Sequence, residues 1–419
     1  MADLLYEEGP NEESWAFEDV PAKMRAVKIK GDKEFYFVSD YPTPQVGTGE
    51  VLIKVARSGM CHTDVGAIEG KMNAQMGLKE GEFRIPGHEF AGRVVAVGDE
   101  VDSDEWKNEN ALALALYGFC DEEAEDRCVS CCDDQYNLCR GAVFTGIQVN
   151  GGFADYVALP AEHVLKISSS VSLDDAFPVG DALLTAQHAI DLIGADETRG
   201  YVAVYGGAGG LGVAVIANLL KTLNREKIIS IDTREQFLQL QREKLGIHTI
   251  NSMGEKGPRH VAKELKKLTK YGLTRVIDCV GTGGRISSAY GAVEKLVQEG
   301  NFSKETFQAA LMDEFANKGT VMDSINAVIK GGQVCVIGFN LGQFMLYPVG
   351  NFMGREVGMT GPWGGPFETA ERLLEEMDDE EFVRDSEAGR ALEMLRGKRC
   401  PFTQDGFAEG YMALVGGQV

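Results

Sequence analysis

From about Arg25 the chain alternates apolar and polar positions in short runs. The segments MRAVKI, EFYFVS, EVLIKVARSG, FAGRVVAVG, ALALALYGF, GGFADYVAL and HVLKIS read as strands bounded by Gly, Pro or Asp, and they carry this style to about residue 168. Near Ser172 the spacing lengthens to that of a helix, in SLDDAFPVGDALLTAQHAIDLI. The middle of the chain then alternates β-rich apolar runs with stretches of helical length: YVAVYG, GLGVAVIANLLKTL, KIISID, REQFLQLQREKLG, VIDCVG and GQVCVIGF. Apolar strands separated by helices predict parallel βαβ units, with both faces of the sheet covered. After Gly361 the pattern is mostly helical, in PFETAERLLEEM and AGRALEMLRG. The expected class is therefore α/β: a β-rich front, a doubly wound middle and a helical tail. Residues 1–22 are polar and acidic and predict a loose arm, and the acidic run from Asp378 to Glu381 reads as a solvated face.

Length and charge narrow the function. A chain of 419 residues suits two or three units of ordinary size. The net charge of −23 argues against nucleic acid and anionic membrane surfaces as partners, because both attract Lys and Arg. No apolar stretch has the length of a membrane span. Met1 to Asp19 lack a basic segment followed by an apolar run, so a cytoplasmic location is expected. In that compartment the nine cysteines are expected to be thiols or metal ligands, not disulfides.

One loop carries dinucleotide chemistry. Gly207, Gly209 and Gly212, with Ala208, Gly210 and Leu211 between them, fit G-x-G-x-x-G. The loop follows the strand YVAVYG and opens a helix, and Asp232 ends the next strand, 20 residues past Gly212. Glycine lets the backbone approach a pyrophosphate, the helix N-terminus offers free N–H groups, and the acid accepts from ribose hydroxyls. A carboxylate at Asp232 disfavours a 2′-phosphate, which predicts NAD; Arg234, two residues on, keeps NADP open.

A second constellation carries metal chemistry. Cys61, His62, Thr63 and Asp64 follow one predicted strand, and Gly87, His88 and Glu89 open another. Singly each residue is ordinary; together Cys61 and His88 supply a thiolate and an imidazole, both good zinc ligands.

The ordered set GMCHTD, PGHEFAGRVVAVG, GGFADYV, GGAGGLG and the following ID resembles the zinc-dependent alcohol dehydrogenases of the medium-chain dehydrogenase/reductase family, from about Met24 to the C-terminus. The resemblance implies a GroES-like β-rich catalytic domain plus a Rossmann domain with a doubly wound parallel sheet. It divides the chain into the acidic arm (1–22), a catalytic domain (23–185) with a structural zinc lobe at about 118–140, an NAD-binding domain (186–361) with an insertion near 283–318, and the C-terminal part of the catalytic domain (362–419). In the segment VGDALLTAQHAI it puts Asp181 at the third catalytic-zinc ligand position, beside Cys61 and His88, as in the secondary-alcohol dehydrogenase subgroup. Read without the family, Asp181 is a helix cap. By the same resemblance Glu89 is an acid close to the metal, Thr63 receives the substrate proton, and Asp64 orients His88 or the local backbone. Gly66 stands five residues after Cys61, where a longer proton relay has a His, so the relay is expected to be shorter or to use ribose and water.

The family's structural zinc lobe runs C-x2-C-x2-C-x7-C. Cys128, Cys131 and Cys139 fit the last two steps. Seven residues separate Cys120 from Cys128, so either Cys120 after an acidic insertion or Glu125 completes the set. The last stretch, FAEGYMALVGGQV, lacks the family's closing strand. The activity implied is reversible oxidation of a secondary or primary alcohol to a ketone or aldehyde, with hydride transfer to NAD and two zinc ions, one catalytic and one structural. The implied partners are a small alcohol or carbonyl substrate and further copies of the chain in a dimer or tetramer. Two other readings stand beside it: a zinc-free enone or quinone reductase of the same fold, which would lack the Cys61 and His88 pair, and a non-catalytic NAD-binding regulatory protein.

Overall fold

The computed structural model describes residues 19–120, 127–253, 259–270, 272–282, 284–285, 294–301, 303–315, 319–338, 343–344, 353–379, 386–397 and 399–415. The chain forms two units, Met1–Thr185 with Trp363–Val419, and Ala186–Pro362.

In the first unit, β1 (Lys23–Ile29) and β2 (Phe35–Pro42) form an antiparallel pair. They are followed by β3 (Glu50–Gly59), β4 (Glu89–Val97), β5 (Asn110–Ala113), β6 (Leu116–Tyr117), β7 (Val143–Phe144), β8 (Tyr156–Pro160) and β9 (Val164–Ile167). A five-stranded sheet runs in the order β8-β3-β4-β5-β9, antiparallel throughout. The run ALALALYGF, expected as one strand, divides at Leu114 and Ala115. β5 belongs to the large sheet, and β6 leaves it to pair with β7. The N–H groups freed at this corner donate to His163 O (3.2 Å) and Gly180 O (3.0 Å). The helix expected from Ser172 is also broken: a helical turn at Leu173–Ala176 passes into a 3-10 turn at Phe177–Gly180, and Ala182–Ile193 follows as a separate helix.

The C-terminal part of this unit is helical. In Phe367–Met377 the buried positions Ala370, Leu373, Leu374 and Met377 recur at helical spacing and form one apolar stripe. The last helix, Gln404–Val415, buries Phe407 completely, with its ring 4.8 Å from that of Phe35 and 5.2 Å from that of Phe153. This helix thus packs Phe407 against the β-rich core.

The second unit is built on a six-stranded parallel sheet in the order β12-β11-β10-β13-β15-β17, from β10 (Val202–Tyr205), β11 (Ile228–Asp232), β12 (His248–Asn251), β13 (Leu273–Asp278), β15 (Val328–Val336) and β17 (Gly358–Thr360). Every residue of β10 and β11 is buried, as strands covered on both faces require. Two short strands, β14 (Gly284–Arg285) and β16 (Gln343–Phe344), pair antiparallel apart from the main sheet. Of the stretch expected as an insertion near 283–318, residues 284–285, 294–301 and 303–315 are described, with helix at 294–298 and at Lys304–Phe315. Among the described residues no helix is long and apolar enough to cross a membrane.

Phe407→Ala is expected to cost the first unit about 3–5 kcal/mol through lost burial and the cavity left behind. Urea unfolding should show this as a lower midpoint, and an unchanged midpoint would mean that the last helix is not integral to the core.

Candidate active site

The site is assembled by a strand register. β3 and β4 pair antiparallel with Gly59 opposite Glu89. Cys61 lies two residues beyond the end of β3 and His88 one residue before β4, so the pairing delivers both to the same sheet edge. The third residue comes from the broken helix. The bond from Ala115 N to Gly180 O (3.0 Å) holds the 3-10 turn, and Asp181 follows it with φ −141° and ψ −73°, outside helical geometry. The Cys61 Sγ, a His88 ring nitrogen and an Asp181 carboxylate oxygen all lie within 4.8 Å of one another.

His88 is fully buried, and its Nε2 stands 3.3 Å from Asp181 Oδ2 while its Nδ1 stands 3.3 Å from Asp64 Oδ1. Neither approach is aligned as a hydrogen bond, so among the described residues both buried ring nitrogens are without a hydrogen-bond partner. Buried polar atoms are seldom left so. Nitrogen and oxygen ligands at about 2.1 Å from a tetrahedral zinc lie about 3.4 Å apart, which the Nε2 to Asp181 distance fits. Asp64, also fully buried, is held by two backbone donors: Cys61 N to Oδ2 (2.9 Å) and Gly87 N to Oδ1 (3.0 Å). It thus ties the two ligand-bearing loops together behind the imidazole. Thr63 Oγ1 is 3.8 Å from Cys61 Sγ.

The electrostatics call for a cation. Burial opposes an imidazolium, yet the carboxylates of Asp64 and Asp181 outweigh it and raise His88 well above its usual value. Burial and the nearby Asp181 push the Glu89 carboxyl up to about 8. Glu89 is 2% exposed and accepts the N–H of Ala182 at 3.3 Å, at the start of the helix that Asp181 precedes. Asp181 itself takes the hydroxyl of Thr185 at 3.5 Å, the longest contact allowed for a hydrogen bond, and its backbone carbonyl takes Thr185 N at 2.8 Å. The helix-cap reading therefore accounts for little of the Asp181 carboxylate.

Four cysteines form a second cluster. The thiols of Cys120, Cys128, Cys131 and Cys139 lie within 4.8 Å of one another. Cys120 Sγ is 3.6 Å and Cys128 Sγ 3.9 Å from Cys139 Sγ. Sulfurs at about 2.3 Å from a tetrahedral zinc sit about 3.8 Å apart, so these are the edges of such a site and too long for disulfides. N–H groups of Arg140 and Cys131 pull Cys128 down to about 6, while burial pushes Cys131 up to about 12. Four thiols this close ionise together only around a cation. Cys120 supplies the fourth sulfur; Glu125, the other residue weighed for that place, lies outside the described residues.

The second unit holds the dinucleotide loop. Gly209 precedes the helix Gly210–Leu219, so the helix N-terminus opens at the loop, which includes Gly207, Gly210, Leu211 and Gly212. A Cβ on Gly212 would stand 2.2 Å from Gly206 O, so only glycine fits the tight turn. Asp232, at the end of β11, accepts Ala208 N (3.1 Å), Thr233 N (2.8 Å) and Arg234 Nε (3.1 Å). Arg234 is thus spent partly on Asp232, and it also lies against the loop, 3.3 Å from where a Cβ of Gly209 would be. Sequence reasoning missed Gln241, fully buried, whose Nε2 donates to Gly207 O at 2.7 Å. A polar residue on the apolar face of its helix was the available signal. It also passed over Asp278, which ends β13 as Asp232 ends β11.

With this geometry described, the chain can be set beside known proteins. The alcohol dehydrogenase GroES-like domain family matches residues 47–169. An NAD-dependent alcohol dehydrogenase of Sulfolobus acidocaldarius is 30% identical over 275 residues, 65% of this chain and 75% of that protein. An L-threonine 3-dehydrogenase of Francisella tularensis is 29% identical over 281 residues, 65% of this chain and 74% of that protein. An alcohol dehydrogenase structure from Thermus sp. ATN1 superposes with a TM-score of 0.70 at 19% identity, covering 94% of this chain and 98% of the other, and shares the fold.

Zinc content of the purified protein is expected to be about two per chain, one for each ligand set. Cys128→Ser combined with Cys131→Ser should leave about one. An unchanged metal content in that variant would remove the four-cysteine cluster as a zinc site.

Proposed function

The chain belongs to the zinc-dependent alcohol dehydrogenases of the medium-chain dehydrogenase/reductase family, and on that premise we propose that it oxidises a secondary or primary alcohol reversibly to a ketone or aldehyde. It is an NAD-dependent enzyme. The observation that carries the assignment of its centre is the convergence of Cys61 and Asp181 on the buried imidazole of His88, which has no hydrogen-bond partner among the described residues.

Zinc bound there supplies a Lewis acid that lowers the pKa of an alcohol hydroxyl, and NAD supplies the hydride acceptor. Cys61 Sγ, His88 Nε2 and Asp181 Oδ2 would hold the ion. Asp64 Oδ1 stands 3.3 Å from Nδ1 of His88, the ring nitrogen turned away from Asp181, and Asp64 holds the two ligand-bearing loops through their backbone N–H groups. Asp181 donates less charge than a thiolate would, which keeps the bound metal a stronger acid. Glu89, buried beside Asp181, is an acid close to the metal and holds the start of the helix Ala182–Ile193. The hydroxyl of Thr63 takes the proton released by the alcohol. With Gly66 in place of a relay histidine, that proton has a short way out.

In the second unit the N–H groups at the start of the helix Gly210–Leu219 receive the pyrophosphate, and Asp232 receives the adenosine ribose. The pairing of Asp232 with Arg234 leaves enough negative charge at the ribose to favour NAD, and Arg234 is the residue through which NADP would gain. The four-cysteine lobe is structural, since four thiolates leave no position for substrate. A homo-oligomer, dimer or tetramer, acting in the cytoplasm completes the reading; none of the nine cysteines is in a disulfide, which fits a reducing compartment.

A panel of secondary and primary alcohols with NAD is expected to yield NADH, and Asp181→Asn is the variant that tests the site. Asn caps a helix about as well as Asp but is a much poorer zinc ligand. The variant should lose the catalytic zinc and at least about a hundredfold in turnover while NADH still binds, whereas Asp181→Cys should keep the metal. Wild-type zinc occupancy and turnover in Asp181→Asn would reduce Asp181 to a cap.

A further inference from the structure

The mechanism leaves one buried acid without a task. Asp278, at the end of β13, is fully buried. Its Oδ1 accepts the N–H of Val280 (2.9 Å), the N–H of Gly281 (3.0 Å) and the hydroxyl of Thr320 (3.0 Å). Its backbone carbonyl accepts the N–H groups of Ile337 (2.9 Å) and Gly338 (3.0 Å), just past β15. Thr320, the first residue of the helix Thr320–Ala327, is locked in turn to Thr282: Thr282 N donates to Thr320 Oγ1 (3.2 Å), and Thr320 N donates to Thr282 Oγ1 (2.9 Å). One residue thus gathers the turn after β13, the turn after β15 and a helix N-terminus. The two turns touch directly. Gly281 has φ +66°, and a Cβ on it would stand 2.0 Å from Gly338 O. Asp278 Oδ2 has no hydrogen-bond partner among the described residues although it is buried. Stability alone does not favour a half-satisfied buried carboxyl.

Its place in the sheet suggests the task. The order β12-β11-β10-β13-β15-β17 winds one way from β10 and the other way from β13. In doubly wound sheets a dinucleotide lies across the carboxyl ends of the strands at such a switch, one mononucleotide to each half. The glycine loop and Asp232 lie in the β10–β11 half and carry the chemistry for pyrophosphate and adenosine ribose. The nicotinamide half is left to the turns after β13 and β15, the two that Asp278 holds. We propose that Asp278 is a positioning residue for the nicotinamide half of the cofactor, fixing the turns at 280–282 and 337–338 in the shape that receives it. The proposal rests on the reading of this unit as an NAD site. Asp278 acts through the backbone it holds, without touching the cofactor.

Calorimetric titration separates this role from plain structural support. The ligands are NADH and ADP-ribose, which lacks the nicotinamide. The proteins are the zinc-loaded wild type, Asp278→Ala and Thr320→Val. Wild type is expected to bind both ligands. Asp278→Ala should bind NADH about tenfold or more weakly, with ADP-ribose affinity changed less than about twofold. Thr320→Val keeps the side-chain volume and loses only the hydroxyl, so it should fold and weaken NADH alone by about three- to fivefold; it decides the matter if Asp278→Ala does not fold. Equal losses for both ligands, or no loss for either, would overturn the proposal even where the melting temperature falls. Wild-type protein that binds neither ligand would instead overturn the NAD reading, and this proposal with it.

Discussion

The register of β3 against β4 is the constraint on which the first unit depends. With Gly59 opposite Glu89, the two strands end where Cys61 and His88 face one another. A slip of one residue would turn every side chain of β4 to the other face of the sheet and carry His88 out of reach of Cys61. The register is locked from both faces. Val51, Leu52, Ile53, Phe90, Val94 and Val95 are buried on these strands, so a slip would also expose core. Asp64 then clamps the loops beyond the strand ends by accepting from both Cys61 N and Gly87 N.

This clamp has an electrostatic consequence. Asp64, Glu89 and Asp181 crowd around one buried histidine, and a thiol closes the group. Removing several carboxylates from water is costly unless positive charge is supplied. Burial and the neighbouring Asp181 push the Glu89 carboxyl up to about 8, which shows how poorly the site tolerates a further negative charge. A divalent cation held by Cys61, His88 and Asp181, as proposed, would supply the positive charge. The four-cysteine lobe would solve the same problem without carboxylates, and with all its ligands used it would stabilise without reacting.

Much of this could be read from the chain, and what could not has identifiable physical causes. Period-two runs and wholly apolar runs separate antiparallel from parallel sheet because the two kinds expose different numbers of faces. GGAGGLG and Asp232 are legible because a close turn and a ribose contact need particular residue types at particular distances. The division of ALALALYGF between two sheets was not legible, since its alternation is equally good for one long strand; the corner is made by the distant acceptors His163 O and Gly180 O. The break before Asp181 is likewise hidden within a helical pattern, and only the resemblance to a family singled that residue out. Cys120 against Glu125 could not be decided by spacing, because loop length does not say where a chain returns; the thiol of Cys120 lies within 4.8 Å of the other three, which supports the four-cysteine set. Gln241, on the buried face of a largely polar helix, and Asp278, at the end of an apolar strand, were passed over for a related reason: only tertiary structure tells which backbone group each holds.

The centre formed by Cys61, His88 and Asp181 is proposed to work through a metal, with cofactor binding in the other unit. Activity and NADH affinity measured on the same protein before and after chelation of the more labile metal test it most directly. The account predicts that alcohol oxidation is lost on chelation, that NADH affinity stays within about twofold, and that stoichiometric zinc restores turnover. Undiminished alcohol oxidation by protein from which that zinc has been removed would contradict it.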